Sequence, residues 1–281
     1  MPHSCDLGSL DRRDFLVLIA AGVVAAVSGC KKAPTGPVAS ADPLVPRIGG
    51  PASTTSTTVP PPLPPIPRAQ PGRAVVVSHA PYDTQQIAFT IDDGYCDECV
   101  AGYVDFAERT GFNLTLSPNG AFHDIWDTYA DRLQPLIRRG QVQIGNHTWS
   151  HPNLLMLSDS AIRREIERNE DWIQATFGVT GRPWFRPPYG KRNSHTDGVA
   201  AGLGYTKILM WNASLGDAVL ETSDGLLGQA EKWIKAGAIV LGHANHPTVI
   251  HVFDELQAII ADRGLEPVTL DMMFGTTRAY G

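Results

Sequence analysis

The chain has 281 residues, a formal net charge of −6, 43% hydrophobic residues and 19% charged residues. Mild acidity of this kind gives no reason to expect nucleic-acid binding. The composition changes near residue 70, which leaves about 210 residues for one sizeable core.

Residues 1–29 read as an export signal. Arg12-Arg13 precede an apolar run from Phe15 to Val27, too short to span a bilayer comfortably. Asp11-Arg12-Arg13-Asp14-Phe15-Leu16 resembles a twin-arginine signal, although Asp6, Asp11 and Asp14 offset its arginines. Val27-Ser28-Gly29-Cys30 resembles a lipobox, in which cleavage before the cysteine leaves lipid on Cys30. A short buried helix is the alternative reading. Residues 30–72 then form a Pro/Ser/Thr-rich linker with Pro60-Pro61-Pro62 and Pro64-Pro65, disordered because it has too little apolar surface to bury. Anchor, stalk and a domain over 73–281 predict a protein tethered to the membrane and facing the cell envelope or extracellular side.

Within the domain, strands and helices alternate. Strands are expected at Ala74–Ser78, Ile87–Ile91, Asn113–Ser117, Gln141–Gly145, Trp184-Phe185, Tyr205–Trp211 and Ala238–Leu241, with a strand-like end at Pro267–Leu270. Helices are expected at Asp97–Arg109, Tyr129–Arg138, Asp159–Phe177, Gly198–Gly202, Gly225–Lys235 and Val249–Arg263. About seven such units argue for an α/β fold with a parallel sheet, doubly wound or closed as a barrel. Both architectures place ligands at the C-terminal ends of strands. Asp92, Asp93, His147, Arg186, Asp217 and His243 all fall just past predicted strand ends, and the helices carry none of them.

Asp92-Asp93-Gly94 closes the Ile87–Ile91 run. Adjacent carboxylates repel unless a positive group lies beside them, and a divalent metal is the simplest such group. The alternative is a polar turn. His147 and His151 are four apart, so on one helical turn both imidazoles would point the same way, as a shared metal requires. Two histidines and one carboxylate with open positions suit a catalytic zinc, and the second aspartate could then act as general base. His243 could protonate a departing amine, with His246 and His251 as rivals. Arg186-Pro187-Pro188-Tyr189-Gly190 is a stiffened turn, either a rigid surface loop or a means of presenting the Tyr189 N–H to an oxyanion while Arg186 orients a carboxylate.

The set Thr90-Ile91-Asp92-Asp93, His147-Thr148-Trp149-Ser150-His151, Arg186-Pro187-Pro188-Tyr189 and Leu241-Gly242-His243 resembles the polysaccharide deacetylases with NodB homology, carbohydrate esterase family 4, over about residues 85–265. The resemblance implies a deformed (β/α) barrel of about seven strands. It implies a divalent metal, usually Zn2+, and removal of N-acetyl or, in some relatives, O-acetyl groups from a polysaccharide. Asp92 would be the base, Asp93, His147 and His151 the metal ligands, and Arg186 the orienter of Asp92. The Tyr189 N–H would serve the oxyanion and His243 would be the acid. Leu241 would line the acetyl pocket, with Asp217 and Trp211 beside the substrate. The chain departs from the pattern after Trp211, where the family's Asp and Asp-Trp positions hold Ser214, Asp217 and Ala218. Loss of the first Asp leaves His243 less well oriented, or leaves Asp217 to take over.

Cys96-Asp97-Glu98-Cys99 has redox-motif spacing, but with an export signal it reads as a local disulfide. Trp126 and Trp149 are candidate groove residues, and Asp124 has no assigned role. The expectation is a metal-dependent, monomeric deacetylase of an acetylated amino-sugar polymer, peptidoglycan first because of its location, with no nucleic-acid partner. The alternatives are a carbohydrate-binding surface lipoprotein with weakened catalysis and a deacylase of a small metabolite.

Overall fold

The structure is a computed structural model, and it describes residues 65–276. The export signal, Cys30 and the linker up to residue 64 lie outside the described residues. Residues 65–74 carry no helix or strand; Gly72 donates its N–H to the Ala201 carbonyl before the chain enters the fold.

The first elements are β1 Val75–Val77, β2 Gln86–Asp93, α1 Asp97–Thr110, β3 Leu114–Pro118, α2 His123–Thr128, α3 Ala130–Arg138 and β4 Val142–Ile144. Next come α4 Asp159–Phe177, β5 Trp184–Phe185, α5 Ser194–Gly202, β6 Lys207–Leu209, β7 Ala213–Ser214 and α6 Ser223–Trp233. The last are β8 Ile239–His243, α7 Phe253–Asp262, β9 Glu266–Pro267 and α8 Leu270–Phe274.

Every strand pairs in parallel with its neighbour. One sheet runs β4-β3-β2-β8-β7, with β9 beside the start of β2, and another runs β1-β6-β5. Single bridges, Asn146 with Phe185 and His79 with Ala238, connect the two. This is the expected α/β fold with parallel strands, consistent with a deformed barrel whose wall is interrupted between sheets. The described residues hold nine strands rather than about seven. The reading Tyr205–Trp211 missed a break at Met210–Asn212, where the chain leaves one sheet as β6 and joins the other as β7.

β2 is the axis of the larger sheet, and its pleat sorts side chains between two environments. Ile87, Phe89 and Ile91 enter the main core beneath α1, α3, α4, α6 and α7. Each contributes roughly 1.5–3 kcal/mol by burial. Ala88 points into a second cluster with Trp184, Leu209, Ile239, Leu270 and Met273. Thr90 and Asp92 share the face of Ala88, so the strand delivers polar groups to the end of that interior.

Local signals explain most boundaries. The Ser158 hydroxyl accepts from the Ala161 N–H at the start of α4, and Gly178 at φ 71° ends it. Such a cap is worth about 1 kcal/mol. α5 begins four residues earlier than Gly198, because Asn193 and Thr196 form a capping box. The helix expected over Val249–Arg263 is a 3-10 stretch at Pro247–Val252 followed by α7, since Pro247 opens a tight first turn. The strand-like Pro267–Leu270 ends at Pro267; Thr269 caps α8 through the Met272 N–H, and Leu270 is helical. The short α2 gave no clear periodic signal.

Candidate active site

The site begins with two neighbouring acids that face different partners. Asp92 ends on the interior face of β2, directly beside Ser117 of β3 and His243 of β8. Arg186, fully buried, donates from Nη1 to Asp92 Oδ2 at 3.0 Å and from Nη2 to Thr90 Oγ1 at 2.7 Å. Thr90 in turn donates to the Val240 carbonyl at 2.8 Å. A buried charge pair of this kind is costly to break, about 3–5 kcal/mol, because the surviving charge is left unpaired.

Asp93 has φ 67°, a left-handed backbone that breaks the strand's alternation. Its Oδ2 accepts from Asn245 Nδ2 at 2.7 Å, and Asn245 Oδ1 accepts the Gly94 N–H at 3.3 Å. The Asp93 carbonyl accepts from Trp126 Nε1 at 3.0 Å. Asp93 Oδ1 is buried and has no hydrogen-bond partner. It faces His147 Nε2 at 3.4 Å and His151 Nε2 at 3.5 Å. The ring of His147 is fixed by its Nδ1, 2.7 Å from the Arg186 carbonyl.

His147–His151 is not a helical turn. Thr148 and His151 have φ 69° and 57°, and the segment is an irregular loop. The imidazoles still converge, with ring centroids 4.8 Å apart. Side chains outside the expected set hold the loop in shape. Asn119 Nδ2 donates to the carbonyls of His147 and Thr148 at 2.6 and 3.0 Å. Asn146 Oδ1 accepts from Thr148 N–H and Asn169 Nδ2, while its own amide donates to Ile166 O and Tyr205 Oη. Tyr205 bonds buried Glu170, which also takes Arg182 Nη1 at 2.7 Å and Gly181 N–H at 3.0 Å. Glu165 receives the Ser150 N–H and hydroxyl.

The three atoms from Asp93, His147 and His151 lie within 4.8 Å of one another and make a candidate metal site. The donor set fits a zinc-type cation: two imidazole nitrogens, one carboxylate, and a carboxylate oxygen that nothing else satisfies. The electrostatics agree in part. Burial opposes the charge on Asp93, but the adjacent His147, then the charge of His151 and the Asn245 hydrogen bond, hold its carboxyl well below the usual range. Burial and the neighbouring His147 hold His151 down at about 4, so it is neutral near pH 7. Burial also works against a charged His147, yet Asp92 and Asp93 pull it upward, so a cation there competes with a proton.

His243 lies across the site on the neighbouring strand. Its Nδ1 is 2.9 Å from Asp217 Oδ1, and its N–H donates to Asp217 Oδ2 at 2.8 Å. Burial lowers its basicity, but Asp217, then Asp92 and Asp93, outweigh burial and raise it above the ordinary histidine value. Asp217 was expected beside the substrate or as the stand-in support of His243; it is 2% exposed, with both carboxylate oxygens spent on His243. Ser214 does not compete for that role, since its hydroxyl takes the Gly216 N–H.

A pocket of about 360 Å³ is lined by Asp92, Asp93, His147, His151 and His243 on its polar side. Tyr189, Trp211, Ala218 and Leu241 line the rest. Trp211 lies under Arg186, with Cζ 5.3 Å from the ring centroid. Tyr189 has φ 58°, and its ring packs edge-on against His151 at 4.4 Å. In its turn the two hydrogen bonds come from Gly190 and Lys191, to the carbonyls of Pro187 and Pro188. Trp126 is buried beneath the Asp93 loop and is not a groove residue. Trp149 is half-buried under Arg168, and Asp124 is exposed on α2 beside His123. Cys96 and Cys99 are joined as a disulfide at the start of α1.

Sequence reasoning missed Asn119, Asn146, Asn169, Glu170 and Asn245. Two carried a signal, since Asn146 immediately precedes His147 and Asn245 follows His243 by two.

The profile of the family described as Polysaccharide deacetylase matches residues 79–208. A chitin deacetylase of Pestalotiopsis is 30% identical over 203 residues, covering 68% of this chain and 64% of that protein. A peptidoglycan-N-acetylglucosamine deacetylase of Listeria monocytogenes is 28% identical over 207 residues, covering 70% of this chain and 40% of that protein. The chain therefore spans less than two thirds of either curated relative. A CE4 family pseudoenzyme from Bacillus anthracis shares the fold, with a TM-score of 0.64, 19% identity and coverage of 72% of this chain and 69% of that one.

Removing a ligand tests the metal site. His151→Ala is expected to weaken Zn2+ binding by more than about 100-fold, beyond the range of outer-shell changes. Chelator competition measures it, and a zinc affinity within a few-fold of the unsubstituted protein would remove His151 from the site.

Proposed function

The chain belongs to the polysaccharide deacetylase family, and from that premise we propose that it is a metal-dependent hydrolase removing acetyl groups from an N-acetylated envelope polysaccharide, peptidoglycan first. The observation that carries the reading is the bare, buried Asp93 Oδ1 facing His147 and His151, with an Arg186-held Asp92 next to it. The names of the relatives support an acetylated amino-sugar substrate, and peptidoglycan rests on location.

Asp93, His147 and His151 would hold the cation, Zn2+ by donor type. When bound, such an ion polarises an acyl carbonyl and lowers the pKa of a water toward 7. The protein's own groups account for the rest. Asp92 accepts the proton of the attacking water, because Arg186 fixes one of its oxygens and leaves Oδ1 without a partner. The Tyr189 N–H, on a left-handed residue in a proline-stiffened turn, donates to the developing oxyanion. His243 protonates the departing amine from the nitrogen not engaged by Asp217, and Asp217 keeps it charged. Leu241, Trp211 and Ala218 bound the apolar part of the pocket that takes the acetyl methyl. The same proposal includes export and a lipid on Cys30, supported by the sequence of residues 1–30.

Three outcomes test this reading. Zinc-restored protein should release acetate from N-acetylglucosamine oligomers or peptidoglycan, and Asp92→Asn should lower kcat by about 10²–10⁴-fold. Absence of release from both, with zinc bound, would leave a carbohydrate-binding protein or a deacylase of another substrate. In Asp217→Asn the largest of the causes that raise His243 is gone. The acid must be protonated to act, so activity is lost as pH rises through its pKa. The alkaline limb of kcat/KM should therefore move to lower pH, and an unmoved limb would exclude His243 as the acid. Cys30→Ser should shift the full chain from the membrane fraction to the soluble fraction, and an unchanged distribution would exclude the lipid anchor.

A further inference from the structure

Tyr95 is two residues past Asp93, yet it is 45% exposed. Its backbone is pinned on both sides. Gly94 at φ 101° passes so close to Trp126 that an added Cβ would collide with the indole, and its N–H goes to Asn245. On the other side the Cys96 N–H goes to the Ala244 carbonyl at 3.3 Å, and Cys96 is bonded to Cys99. The ring meets Phe122 edge-on, with centroids 5.7 Å apart and planes at 61°. It meets His246 at 6.0 Å and 88°, and the Tyr95 hydroxyl lies 3.3 Å from His246 Nε2. Neither contact is a face-to-face stack.

Placement beside the reaction centre gives this ledge a meaning. Asp93 Oδ1 faces His151, against which Tyr189 packs, and Tyr189 is 61% exposed. Asp93 Oδ2 faces Asn245, whose neighbour His246 bonds Tyr95. Each exposed tyrosine is thus linked to one oxygen of the same carboxylate, Tyr189 through His151 and Tyr95 through His246 and its neighbour Asn245. A pyranose ring presents a C–H face that packs on an aromatic surface, and its rim hydroxyls hydrogen-bond to groups such as a phenol or imidazole. A ring already immobilised before binding loses little entropy when a sugar covers it.

Resting on the deacetylase reading, we propose that Tyr95, with Phe122 and His246, forms a second sugar subsite, which takes the residue of the polymer next to the one being deacetylated. Phe122 sets the tilt of the ring, and His246 orients the hydroxyl. The subsite selects for polymer length and not for the acetyl group.

The test is calorimetric binding of the N-acetylglucosamine pentamer and monomer to zinc-loaded Asp92→Asn protein, with and without Tyr95→Ala. Acetate release from the pentamer and from peptidoglycan by the unsubstituted chain is followed in parallel. Tyr95→Ala should weaken the pentamer about ten-fold, equivalent to about 1.4 kcal/mol, and the monomer less than about two-fold. Tyr95→Phe keeps the ring and should bind the pentamer within about three-fold of the parent. Zinc content and melting temperature exclude misfolding of Tyr95→Ala, and Tyr95→Phe provides a second check. A pentamer Kd indifferent to Tyr95→Ala, or an equal loss for monomer and pentamer, overturns the subsite. Acetate release without a Tyr95 effect removes the subsite and leaves the deacetylase reading. A Tyr95-dependent Kd without release from either the pentamer or peptidoglycan keeps Tyr95 as a sugar contact and removes the deacetylase reading, and a pentamer that does not bind removes the subsite.

Discussion

Two carboxylates on consecutive residues cannot both be buried and charged unless each finds its own positive or donor partner. The pleat of β2 solves half of that problem, since it turns Asp92 inward to Arg186 while its neighbours Ile91 and Phe89 enter the opposite core. Continued alternation would send Asp93 toward that core too. A left-handed backbone at Asp93 breaks the alternation and swings its carboxylate back toward two histidines and Asn245. Arg186, the histidine loop and the β8 loop are each placed by what these two acids need.

The same device recurs around the site. Among the described residues, the non-glycines at positive φ are Asp93, Thr148, His151 and Tyr189, and all four belong to it. Such conformations cost about 1–3 kcal/mol each and persist only when the surroundings over-determine them. Here the surroundings are polar and buried: Asn119, Asn146 and Asn169 tie the histidine loop to three segments, and Glu170 with Tyr205 and Arg182 stands behind them. Geometry at the reaction centre is held by hydrogen bonds, which impose direction, and not by apolar packing, which tolerates slippage.

What the sequence made legible follows from this division. Strands β2, β3 and β8 and helix α4 carried strong apolar runs or clear caps, so their positions were readable to within a residue or two. The ligand types were readable because few residues can bind a metal or move a proton. The convergence of His147 and His151 was readable, but its stated cause was wrong, because a four-residue spacing suggests a helix and nothing in the residue types announces two left-handed positions. Asp217 was read in two roles, beside the substrate and as the stand-in support of His243. The motif position alone left both open, whereas β7 pairs with β8 and brings Asp217 behind His243. The asparagine supports went unread because a buried amide has the same letter as an exposed one, and only closeness to a histidine marked Asn146 and Asn245.

Strands run parallel within each sheet and across the Asn146–Phe185 bridge, and the chain enters at Val75 after Gly72 has bonded the last turn of α5. Helices between parallel strands run back against them, so Ala201 and residue 75 belong to the end of the fold opposite the two acids. The pocket's mouth and the incoming chain are thus at different poles of the domain. A surface or label fixed through the segment just before residue 72 would leave the mouth pointing outward, accessible to a polymer too large to enter any gap between the domain and its support.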